Sequence, residues 1–251
     1  MTSIGGDAHA AGMRKVLSIL LAASCMASLS LRGQEIVDTT RKVIVVGFVG
    51  GFVRHDDTKH AEVKFAAHLR ERYRSAMDVE VFGNHSGIPA LEHVLRLTGT
   101  DKAHARIIIF GHSWGGTETV TLARELERRG IPVLLTIQVD SIAKPGQENS
   151  TIPANVENAV NFYQSRGLLH GRSEILAKDP ARTNIIGNFE MTYKDHPINC
   201  KDFPWYSRVF TKPHIEIEND PRVWTEAASL IDLELSGTKP TAEASLAASH
   251  P

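Results

Sequence analysis

The chain has 251 residues, with 28 Lys and Arg against 29 Asp and Glu, a formal net charge of -1, and 42% hydrophobic residues. That length suits one substantial α/β domain and is too short for two comfortable ones. The balanced charge lacks the basic excess with which nucleic-acid-binding chains hold phosphates, so no nucleic-acid partner is expected.

The N-terminus reads as a targeting segment. Met13-Arg14-Lys15 is a short basic start, the apolar residues 16–23 follow, and small residues come next. This is the order of n-region, h-region and cleavage zone in a secretory signal, and the apolar run is too short to span a bilayer as a mature helix. Residues 1–33 are therefore expected to be an extension plus signal peptide, with export to the periplasm or the exterior. Residues 21–25 (LAASC) resemble a lipoprotein cleavage box whose Leu sits one place early. A lipidated Cys25 would attach the protein peripherally to a membrane. The chain has two cysteines, and loss of Cys25 with the signal leaves Cys200 alone, without an internal disulfide. Cys200 has no adjacent base and reads as structural.

Residues 34–235 carry the folded domain. Residues 42–48 (KVIVVGF) are continuously apolar, as a strand buried on both faces should be. Residues 57–75 predict a helix with Ala61, Phe65, Leu69 and Tyr73 along one face. A short strand at 79–82 and a short helix at 89–97 opening on Pro89 come next. Residues 105–110 (ARIIIF) form the next buried strand, followed by a helix over 117–129 that stops at Gly130 and a strand over 132–139. Residues 156–163 and 183–191 read as strands, the latter alternatively as part of a hairpin starting near Ser173. A final helix covers 220–235, and the Ser/Ala/Thr-rich residues 236–251 are expected to be disordered. Strands alternating with helices predict an α/β fold of three layers, a mostly parallel sheet with helices on both faces.

Between the strand at 105–110 and the helix at 117–129 lies Gly111-His112-Ser113-Trp114-Gly115-Gly116. A serine in a sharp strand-to-helix turn is exposed above the sheet, and Gly111 and Gly115 are needed where the two backbones nearly touch. With these residues the chain resembles the α/β-hydrolase superfamily, and lipase- or esterase-like serine hydrolases in particular. The resemblance covers most of residues 42–235. It implies a triad in the order Ser, Asp or Glu, His, while the few residues between the core strands leave a compact core with little room for a lid. Ser113 is the implied nucleophile. Asp140, closing the strand at 132–139, is the implied acid, because residues 139–146 look like the acid loop of lipase-like members. His214, just ahead of the final helix, is the implied base, with the imidazole delivered by a loop; His196 in Lys194-Asp195-His196-Pro197 is the alternative. The oxyanion hole is implied to comprise the amide of Trp114 and, from the loop after the first strand, that of Phe48 or Val49, although Val46 stands where the family's histidine usually does.

No P-loop, zinc-type cysteine pattern or dinucleotide fingerprint occurs, so no cofactor is expected. His55, Asp56, Asp57 and His60 could ligate a metal; the simpler expectation is that Asp57 caps the helix, the histidines face solvent and no metal binds. The expected activity is hydrolysis of a small-molecule or lipid carboxylic ester. A thioesterase, an acyltransferase, or a catalytically silent binding protein of the same fold are the alternatives. Residues 146–155 and 193–211, the latter with Phe203, Trp205 and Tyr206, are the candidate acyl-chain walls.

Overall fold

Three strand-forming runs are so apolar that only a sheet covered on both faces can bury them. In the computed structural model, which describes residues 42–238, β1 (Val43–Phe48) and β3 (Ile107–His112) are buried at every position and β4 (Val133–Val139) at all but one. The expected signal segment, Cys25 and the tail beyond Thr238 lie outside the described residues. The remaining strands are β2 (Met77–Phe82), β5 (Thr151–Ile152), β6 (Val156–Tyr163), β7 (Leu176–Ala177) and β8 (Asn184–Glu190). The helices are α1 (Ala61–Tyr73), α2 (Gly87–Thr98), α3 (Trp114–Glu127), α4 (Trp205–Phe210), α5 (Lys212–Glu218) and α6 (Pro221–Ser236). Among the described residues no helix is long and apolar enough to cross a membrane.

Six strands form one sheet in the order β2-β1-β3-β4-β6-β8, and every neighbouring pair is parallel. Alternate residues of one strand enter different cores, as the two-residue period requires. Val43 and Val45 of β1 join Ile108 and Phe110 of β3 under Phe65 and Leu69 of α1 and Leu230 of α6. Ile44, Val46 and Phe48 join Ile107 and Ile109 under Leu91 and Val94 of α2 and Leu122 and Leu126 of α3. The molecule is thus three layers, with α1 and α6 on one face and α2 and α3 on the other. From β1 the chain moves out to β2 and back to β3, so the strand order reverses between β1 and β3. Open α/β sheets place their sites at the carboxyl ends of the strands flanking such a reversal.

Three local expectations are corrected. α1 starts at Ala61 rather than 57, because the Asp57 carboxylate accepts the amide of Lys59 and its carbonyl that of His60, closing a turn ahead of the helix. No hairpin starts near Ser173: β7 pairs in parallel with β5, and β8 in parallel with β6. The helix after Ser113 starts at Trp114 rather than 117, and the segment 146–155 is tied behind β4, where buried Asn149 donates to the carbonyl and hydroxyl of Ser141 at 3.1 and 2.8 Å.

Candidate active site

β3 ends at His112 and α3 starts at Trp114, leaving Ser113 alone to make the turn, at φ 58° and ψ −125°. A side chain with a Cβ avoids this left-handed region, at a cost on the order of 1–3 kcal/mol. Its surroundings hold it there. A Cβ on Gly111 would overlap the carbonyl of Gly115, and one on Gly115 would overlap the carbonyl of Phe48. The Ser113 amide donates to the Val139 carbonyl at 3.0 Å, while its own carbonyl accepts from Gly116 and Ile142, each at 3.0 Å. The amide of Trp114 lies in the first turn of α3, where amides have no intrahelical acceptor.

Asp140 follows β4 directly and also takes a positive φ, 43°. Its amide donates to the Phe162 carbonyl at 2.7 Å, and its carboxylate is wholly buried. One oxygen accepts from the Gly171 amide at 2.7 Å; the other accepts from the Gln164 side chain at 2.9 Å and meets His214 Nδ1 at 2.6 Å. Burial alone would raise its pKa. The hydrogen bond and charge of His214, joined by Gln164 and Gly171, outweigh that and hold the carboxyl below the usual range.

His214 is the third residue of α5 rather than part of a loop, in a short helix opened by Pro213. Burial, and then the positive charge of His112, lower its pKa from the ordinary value. The neutral ring donates from Nδ1 to Asp140, which leaves Nε2 as an acceptor. His112, the residue before Ser113, has its ring centroid 4.5 Å from that of His214. Asp140 and His214 are thereby brought against the turn that carries Ser113. His196 is exposed and is not among the partners of Asp140 or His214.

The loop after β1 departs from expectation. Phe48 is fully buried and paired on both sides, with Phe82 and Gly111, and the Val49 amide donates to the Phe82 carbonyl at 3.1 Å. The sheet continues one residue past β1, so neither amide faces Ser113. Gly50 comes next, and a Cβ there would lie 3.4 Å from that of Ser113, but its amide donates to Glu62 at 3.2 Å. Gly51 packs against the Trp114 ring so closely that a Cβ would sit 2.8 Å from it.

Five residues near the site were not expected there from the sequence. Gln164 and Gly171 support Asp140, and no local pattern marks them, because the strand–loop segment after β6 brings them in. Glu62 and Glu218 are buried carboxylates that face His112 Nδ1 at 3.5 and 3.8 Å. His60, expected in solvent, is half-buried with Nδ1 2.7 Å from Glu218, because the start of α1 packs against the end of α5. His60, Glu62 and Glu218 each offer one donor atom, all within 4.8 Å of one another. His55 is exposed, as expected. Cys200 is buried, and burial, with Glu216 and Glu218 adding to it, pushes its thiol up to about 11, far from a reactive thiolate.

Exposed apolar side chains surround these elements. Phe52 is 97% exposed at φ 61°, its ring 5.3 Å from that of Trp114. Trp205, Val209 and Phe210 are exposed on α4, which leads directly into α5. Among the described residues four non-glycine residues have positive φ, and three of them, Phe52, Ser113 and Asp140, stand at this site. Such strain concentrates where chemistry or binding needs it.

A parallel three-layer sheet with a strained serine between a buried strand and a helix N-terminus defines a fold of α/β-hydrolase type. Comparison with protein-family models and with curated proteins gives no match. Among solved structures, the chain superposes on a novel cutinase-like protein from Cryptococcus sp. with a TM-score of 0.42 and 12% identity, over 79% of this chain and 97% of that one. It superposes on RedJ, solved with a PEG molecule bound in the active site, with a TM-score of 0.36 and 10% identity, over 71% of this chain and 90% of that one.

Proposed function

We propose that the protein is a serine esterase that hydrolyses carboxylic esters through a covalent acyl-enzyme. The observation that carries this reading is the buried Asp140–His214 pair, 2.6 Å apart, set against the strained Ser113 turn. Neutral His214 takes the proton from the Ser113 hydroxyl as its oxygen attacks the ester carbonyl. Asp140 remains ionised, fixes the ring through Nδ1, and stabilises the imidazolium that forms. The tetrahedral oxyanion develops at the N-terminus of α3, where the Trp114 amide and the helix dipole oppose its charge. The Gly51 amide is the second donor, since Phe48, Val49 and Gly50 are committed to the sheet or to Glu62. His214 then returns its proton to the departing alkoxide, and water releases the acyl group by the same steps. The exposed rings of Phe52 and Trp205 favour an apolar acyl chain, and the basic-then-apolar stretch at 13–23 favours an exported enzyme.

A p-nitrophenyl ester should give a burst of p-nitrophenolate, and a fluorophosphonate should label the protein once. Both signals disappear in Ser113→Ala; if either survives, Ser113 is not the nucleophile.

A further inference from the structure

Behind the nucleophile turn, the reaction leaves a buried cluster of four ionisable side chains unused. Glu62 is 0% and Glu218 3% exposed, and both stand beside His112 and, through Glu218, His60. Two carboxylates buried together need about two balancing positive charges. A divalent cation or two protonated imidazoles would supply them. His60 Nδ1 and Glu218 Oε1 stand 2.7 Å apart, the length of a charge-assisted hydrogen bond. Ligand atoms around a tetrahedral zinc ion with bonds of ~2.0–2.1 Å lie about 3.3 Å apart. The spacing of this pair fits a shared proton rather than two bonds to one zinc ion.

We propose that His112 is a positively charged positioning residue for His214, flanked by Glu62 and Glu218 at 3.5 and 3.8 Å from its Nδ1 and packed against the catalytic ring at a centroid distance of 4.5 Å and a tilt of 32°. The proposal rests on the serine-hydrolase reading. Its first effect is steric: a ring held by two carboxylates fixes the plane of the ring beside it. Its second effect is electrostatic: a cation at this distance opposes protonation of His214, which stays a free base to lower pH. The groups facing His112 are Glu62 from α1, Glu218 from α5, Asp140 after β4, and His214 itself. Burial acts against its charge, but the carboxylates of Glu62 and Glu218 beside it, with the charge of Asp140, outweigh burial and raise it to about 9. Among the described residues its buried Nε2 meets no hydrogen-bond partner, a cost that the carboxylates on the Nδ1 side offset. On His214 the balance runs the other way: burial and His112 lower it, against Asp140 and Glu218. Glu62 also accepts the Gly50 amide, which couples the cluster to the loop facing Ser113.

The test is an NMR titration of the imidazole rings of the full chain, paired with the pH profile of kcat/KM on a p-nitrophenyl ester. In the wild type, the His112 ring should remain protonated above pH 8. In His112→Gln, the His214 midpoint and the acid limb of kcat/KM should both rise by about one pH unit or more. Glu62→Gln should lower the His112 midpoint. A neutral His112 at pH 7 in the wild type overturns the proposal without requiring any variant to fold, and so does a stoichiometric metal ion in the purified protein. An unmoved His214 midpoint in folded His112→Gln overturns it as well. The ring titration needs no substrate. If Ser113→Ala retains activity while the midpoint still moves, the hydrolase reading fails and the His112–His214 coupling stands.

Discussion

Asp140 and His214 are 74 residues apart in the chain and meet at 2.6 Å, and the acid is wholly buried. Every acceptor direction of that carboxylate is filled by a donor: Gly171, Gln164 and the His214 ring. Asp140→Asn replaces one oxygen with an NH2 group, which must point a donor at a donor. The ring then loses its tautomer, and kcat should fall by roughly 10³–10⁴-fold with KM changed only a few-fold. Steady-state kinetics on a p-nitrophenyl ester decide it, and a loss smaller than about tenfold removes Asp140 from the role.

Gly171 supports the acid by direct backbone approach. A Cβ there would overlap the carbonyl carbon of Asp140 and the amide nitrogen of Ser141, neither of which can move without disturbing the end of β4. Gly171→Ala should therefore cost about 2 kcal/mol, a fall of roughly 4–8 °C in Tm for a domain of this size. It should also reduce kcat, because the amide that holds one carboxylate oxygen is displaced. A thermal melt by circular dichroism that matches the wild type would contradict this packing.

The sequence made some of this legible and hid the rest for physical reasons. Residues 42–48 match β1, Val43–Phe48, because a strand buried on both faces leaves a continuous apolar signature. Ser113 was legible because the strain of its turn requires glycines at 111 and 115, which are local. The α5 helix around His214 was not: seven residues give no periodicity, and only Pro213 marks its start. Nor could Glu62 be read as buried, because a carboxylate enters a core only when distant partners, here Gly50 and His112, neutralise it. The commitment of the Val49 amide was not legible either, because its bond to the Phe82 carbonyl runs one residue past the strand expected at 42–48.

Phe52 combines a positive φ of 61° with 97% exposure, a conformation and a surface both unfavourable for a large apolar side chain. Asn tolerates the left-handed region, so Phe52→Asn should leave stability unchanged or raise it by up to about 1 kcal/mol. If the ring beside Trp114 receives the acyl chain, kcat/KM for a long-chain p-nitrophenyl ester should fall roughly tenfold. The value for the acetate ester should scarcely change. An equal loss on both esters would assign Phe52 to loop structure instead of substrate contact.

Glu234 lies on α6, where burial first, and the neighbouring Glu157 charge second, raise its carboxyl to about 7, against the Asn158 hydrogen bond of 2.7 Å and the Arg106 charge. The unfolded chain releases that proton near 4.5, so between these values the folded state holds a proton the unfolded state has lost. Stability from this group is thus fully present below pH 4.5, declines as pH rises, and is lost above about 7. Glu234→Gln keeps an oxygen for Asn158 and has no charge to bury. In urea unfolding it should exceed the wild type by about 1–3 kcal/mol at pH 8.5 and match it below pH 4.5. A difference that is the same at both pH values would show that packing, rather than the proton, sets the effect.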